Sequence, residues 1–214
     1  MDIDFISKLA QTAFYIVGGG VAVLTYLKAK NGLLNTINTE YHKKVIERLS
    51  ALSEELYKEF DYFSDKHWIK DDSVKEVLDL VHNELVPHKA SVIMEGIKDP
   101  PIPISTKETE LGNLLDKYRS DPFLPEEIRS RVVSLLQKRF DAMSDAFTET
   151  FETYQIELGQ GKHWGTLDSN VHWLHNRIID RMNECGAGIS DVEREVHEIR
   201  LAIQTYFKRF NPLA

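Results

Sequence analysis

The chain has 214 residues, 42% hydrophobic and 28% charged, and its 34 acidic against 26 basic side chains give a formal net charge of −8. That balance belongs to a folded chain rather than a disordered one. The acidic excess argues against general nucleic-acid binding, which needs clustered Lys and Arg to neutralise phosphate.

The first predicted element is the uncharged stretch Leu9–Leu27, "LAQTAFYIVGGGVAVLTYL". Nineteen residues at about 1.5 Å each reach roughly 28 Å as a helix, close to the hydrocarbon thickness of a bilayer. A cleaved signal peptide would open on a positive segment, whereas Asp2 and Asp4 accompany only Lys8; Gly20-Val21-Ala22 nevertheless places small residues as a cleavage site does. A buried or interface helix in a soluble protein would lose about 1 kcal/mol per interior glycine relative to alanine. Lipid offers the backbone no alternative partners, so a glycine-containing helix persists there.

The stretch therefore predicts a transmembrane helix, preceded by a short extracytoplasmic terminus at residues 1–8. Gly18, Gly19 and Gly20 form its centre, and Gly18, Ala22 and Thr25 recur at i, i+4, i+7 as a small-residue packing face. Lys8 flanks one end; Lys28, Lys30, Lys43 and Lys44 follow the other, which places the C-terminal body in the cytoplasm. The expected location is a cytoplasmic (inner or plasma) membrane, crossed once.

Beyond Lys28 the pattern is helical almost throughout. Tyr41, Val45, Leu49, Leu52, Leu56, Phe60 and Phe63 recur over 11 residues, a period that leaves a helix nearly straight. The next helix opens at "DDSVKEV", with Asp71 or Asp72 as cap and Val74, Val77, Leu78, Val81 and Leu85 inward; Pro87 interrupts it. "DPPIPIS" forces an extended connector at residues 99–106 between a helical subdomain at 28–98 and a second at 107–214. Ser105 and Glu108 form a capping-box pattern before a short helix.

A second long amphipathic helix follows Pro125, with Ile128, Val132, Leu136, Phe140, Met143, Phe147, Phe151, Tyr154 and Leu158 inward. A further helix is expected from Asp168 to Cys185. The single cysteine excludes an intramolecular disulfide and fits a reducing compartment; at the end of an apolar stripe it reads as a small buried hydrophobe. A last helix is expected after a Ser190/Glu193 capping box, carrying Val196, Ile199, Ile203, Tyr206 and Phe210 inward. The expected fold is all-α: one transmembrane helix, then a cytoplasmic helical bundle with two long amphipathic helices.

Signals for chemistry are sparse. Asp168, His172 and His175 fall at i, i+4, i+7 with His163 nearby, a set chemically suited to zinc or iron but lacking an HExxH or paired ExxH motif. Each tryptophan follows a histidine (His67-Trp68, His163-Trp164, His172-Trp173), a pattern that suits amphipathic residues sealing helix ends. No P-loop, GxGxxG, GxSxG or CxxC is present, and no cofactor is expected. The sequence thus points to a membrane-anchored interaction or scaffold protein, with the bilayer and a protein partner or a second copy as partners and no nucleic acid. A membrane-perturbing effector of toxin or defence type is the alternative, and a membrane-tethered metal-dependent enzyme the second alternative.

Overall fold

A computed structural model describes residues 3–209, with side chains described from Phe14 onward except Val17. Among these residues the structure is all helical, with no strand: α1 Ile3–Tyr57, α2 Ser73–Leu85, α3 Lys89–Glu95, α4 Thr106–Arg119, α5 Glu126–Gly159, α6 Asn170–Glu184 and α7 Ile189–Lys208. The all-α expectation is met. The chain divides into two compact units, residues 1–47 and residues 48–214.

The first unit is the N-terminal part of α1, which runs without interruption through Gly18–Gly20 and through Asn31-Gly32. Every described side chain from Phe14 to Tyr41 is exposed. Among the described residues no helix is long and apolar enough to cross a membrane. The uncharged stretch lies only partly within them: the side chains of residues 9–13 and of Val17, with the flanking Lys8, are outside the described set.

In the second unit α5 is the central element, packed against α3, α4, α6 and α7. Its buried face is Ile128, Val132, Leu136, Met143, Phe147, Phe151, Tyr154 and Leu158, nearly the stripe expected from periodicity, with Phe140 half-buried. Each such side chain removed from water contributes about 1.5–3 kcal/mol, which offsets the entropy of ordering a 34-residue helix. Phe147 and Phe151 stack with ring centroids 5.9 Å apart, so the phenylalanine stripe is core. Leu49, Leu52 and Leu56 of α1 are also buried, but α1 stops at Tyr57 and Phe63 is 88% exposed, so the expected stripe ends seven residues early.

The helix ends follow the sequence reading at α2 and α4 and depart from it at α7 and at Cys185. Asp72 occupies the N-cap of α2, but the Asp71 carboxylate accepts the Ser73 amide at 3.0 Å. Ser105 caps α4 through the Glu108 amide at 3.1 Å, as expected. Gly188, rather than Ser190, is the N-cap of α7; Ser190 lies inside the first turn. Cys185 is exposed at the C-cap of α6, not buried, because α6 ends before its apolar face would take it inward.

The proline-rich connector carries no regular structure between Gly96 and α4. It is held to α5: Gln155 Nε2 donates to the Pro101 carbonyl at 3.0 Å. Gly159 lets the chain just before the connector pass close by, since a Cβ there would sit 2.9 Å from the Ile97 amide nitrogen.

Candidate functional site

Three features stand out as candidate sites, and the first is the exposed N-terminal surface. Phe14, Tyr15, Ile16, Leu24 and Tyr26 are each about two-thirds exposed or more. These positions lie on several sides of the helix, so no single face accounts for them. The predicted packing residues Gly18, Gly19 and Gly20 are exposed, and a Cβ built on any of them meets no atom within 4 Å. Ala22 and Thr25 are exposed too. Among the described residues nothing requires those glycines to be small. Thr25 Oγ1 donates to the Val21 carbonyl at 2.8 Å, so its hydroxyl is satisfied inside the helix. Lys28, Lys30, Lys43 and Lys44 are exposed along the following turns.

The histidine-rich turn forms a second feature, but not a metal centre. Asp168 lies in a 3₁₀ turn, Trp164–Ser169, with non-helical backbone at Thr166, and α6 begins only at Asn170. The helical register that would align Asp168 with His172 and His175 is therefore lost. His172 is exposed, and His163 is turned toward α5 in the left-handed region (φ 63°). Among the described residues no group of three or more His, Cys, Asp or Glu is gathered to hold a metal ion.

The turn instead closes a polar network around Tyr154, which is fully buried. Asn170 Nδ2 donates to Tyr154 Oη at 2.8 Å, and Tyr154 Oη lies 2.7 Å from His82 Nε2. His163 Nε2 pairs with Glu157 at 2.7 Å and its ring stacks on Trp173 at 5.2 Å. Trp164 Nε1 donates to the Leu158 carbonyl at 2.9 Å, sealing the end of α5. Burial pushes the Tyr154 phenol up to about 12 against the opposing pull of Asn170, and burial lowers His82 despite the charges of Asp79 and Asp168. A neutral His82 can then accept the Tyr154 hydroxyl proton through Nε2.

The third feature is a cleft of about 600 Å³ walled by the turns after α1 and by α2, α4 and α5. The Arg139 guanidinium forks onto the Glu59 carboxylate. Lys107 Nζ bridges Glu59 at 3.0 Å and Asp71 at 2.5 Å. Burial alone would raise Glu59, but the hydrogen bonds and charge of Arg139, with Lys107, outweigh it and hold the carboxyl at about 2. Asp71 is lowered in the same way, with Lys107 overcoming burial. At the rim, Glu55 accepts from Lys117 Nζ at 2.6 Å and from the Tyr118 hydroxyl. These charges are spent on one another, so the arrangement clasps elements together rather than activating a substrate. Sequence reasoning missed it because Glu59 and Arg139 stand 80 positions apart with no motif to link them.

The fold and surface define an all-helical protein with a compact C-terminal unit and an N-terminal helix that presents apolar side chains to its surroundings. The chain matches no protein-family model, no curated protein and no solved structure.

Proposed function

We propose that this chain is a single-pass membrane-anchored interaction protein, with Leu9–Leu27 in the bilayer and the helical body in the cytoplasm recruiting a protein partner or a second copy. The observation that carries the reading is the exposure of Phe14, Tyr15, Ile16, Leu24 and Tyr26 on different sides of one helix. A helix that is apolar all round is covered by lipid or by other protein, because leaving it in water forfeits roughly 25 cal/mol per Å² of apolar surface. Thr25, bonded to its own helix, adds no unmet polar demand.

Fractionation tests this directly. The full chain should sediment with membranes and resist alkaline carbonate, while a chain of residues 28–214 should remain in the supernatant. A full chain that stays soluble overturns the anchor.

One observation favours an effector as the second reading: among the described residues nothing meets a Cβ built on Gly18, Gly19 or Gly20. Smallness there fits close approach between copies of the helix. If oligomerised spans perturb the bilayer, expression should depolarise cells and Gly18→Leu/Gly19→Leu should abolish the effect. A scaffold predicts no depolarisation and retained partner binding in residues 28–214.

A further inference from the structure

A second cleft in the C-terminal unit, about 470 Å³, lies between α5 and the start of α7. Its charge is unlike that of the rest of the molecule. Four cations line it (Arg131, Lys138, Arg139 and Arg194) against two acids, Asp191 and Glu195, on a chain with net charge −8. Both acids are taken up by Arg194, which pairs with Asp191 at 2.7 Å and approaches Glu195 at 4.0 Å.

Arg131 and Lys138 are left without an ion-pair partner among the described residues. They lie seven residues apart on α5 and so share one face, with Ser134 between them on the same face. Lys138 Nζ rests against Gly186, where a Cβ would come within 2.9 Å of it and where φ of +64° also favours glycine. Arg139 lines the same cleft, but its guanidinium is paired with Glu59.

We infer that this cleft binds a phosphoryl oxyanion, with Arg131 and Lys138 as the charged clamps and the Ser134 hydroxyl as a further donor. Tetrahedral oxyanions match converging cationic and hydroxyl donors, and charge-assisted bonds of this type are about twice as strong as neutral ones. The group could arrive on a soluble phosphomonoester or on a lipid headgroup. The inference does not depend on the anchor.

The test uses the full chain. Inorganic phosphate should raise the thermal midpoint more than chloride does at matched ionic strength, and calorimetric titration should give a one-to-one complex. Arg131→Gln/Lys138→Gln should weaken phosphate at least about tenfold. Both positions are exposed and unpaired, so the variant should unfold at an unchanged midpoint without phosphate. Lys75→Gln/Arg119→Gln, which removes the same charge from exposed positions elsewhere, should leave binding intact. Stabilisation no greater than by chloride, equal binding by the Arg131/Lys138 variant, or equal loss in the Lys75/Arg119 variant would each overturn the site. Once phosphate binding holds, vesicles separate the two sources. If the headgroup supplies the phosphate, phosphatidic acid should raise wild-type co-sedimentation above that with phosphatidylcholine alone, and the Arg131/Lys138 variant should lose that increment. Unchanged co-sedimentation assigns the site to a soluble phosphomonoester.

Discussion

Glu59 and Arg139 show what one buried pair demands of its surroundings. Their side chains are 14% and 12% exposed, so each charge depends on the other for solvation. The Glu59 carboxyl, at about 2, lies below its ordinary value near 4.5. A depressed acid contributes stability that is complete above its unfolded pKa and is lost as pH falls through the folded one. The window is therefore about pH 5 down to pH 2, and the contribution is about 3 kcal/mol. Urea unfolding should show wild type losing about 3 kcal/mol more than Glu59→Gln across the window, with the variant already destabilised at pH 7. Equal slopes in both would remove the pair from the acid response.

His82 makes the opposite kind of group sensitive in a milder range. Its folded pKa is lowered, chiefly by burial, so the unfolded chain takes up the proton first. Stability from this residue is complete above about pH 6.5 and falls as the solution is acidified below it. The thermal midpoint should drop between pH 7.5 and 5.5 in wild type, and by less in His82→Gln.

At the scale of elements, α5 was the most legible part of the sequence. Its apolar residues keep helical spacing over 34 residues, and a periodicity that long has few alternative explanations. Phe151→Ala should cost about 3–5 kcal/mol, because the ring is fully buried in a face that cannot collapse around its absence. Gly159 gives the less intuitive expectation. Alanine would favour the helix by about 1 kcal/mol, yet the Cβ would strike the Ile97 backbone, so Gly159→Ala should destabilise in a denaturation series. Gly165→Ala, with nothing near, is the control.

Helix ends were less legible than helix bodies. The expected start at Asp168 failed because the 3₁₀ turn Trp164–Ser169 consumes the residues that would have begun the α-helix, and Asn170 is drawn inward by Tyr154. Gly188 displaced Ser190 as the cap of α7. These outcomes depend on contacts between distant segments, which neither spacing nor propensity records. The same holds for the Glu59–Lys107–Asp71–Arg139 clasp and for the basic cleft between α5 and α7: each is assembled by folding from residues that are unremarkable in line.

For the whole molecule, the division at residue 47 separates two kinds of surface. The C-terminal unit closes its own core from α1's last turns to α7, through Leu49, Leu52, Phe151 and Ile199, all essentially inaccessible. In the N-terminal unit the described apolar side chains from Phe14 to Tyr41 lie outside. Removing residues 1–27 should therefore lower membrane association without changing the cooperativity of thermal unfolding, as read by circular dichroism. A broadened transition would show that the first helix contributes to the body's core.

The turn between α5 and α6 carries a consequence for how the molecule breathes. His163 takes a left-handed backbone, Trp164 bonds back to Leu158, and Asn170 reaches both Tyr154 and the His163 carbonyl. A surface connection is ordinarily the first place where amides trade hydrogen for deuterium. Here the ring of partners drawn from α2, α5 and α6 must come apart together, so the amides of residues 160–170 should exchange with the core helices rather than ahead of them.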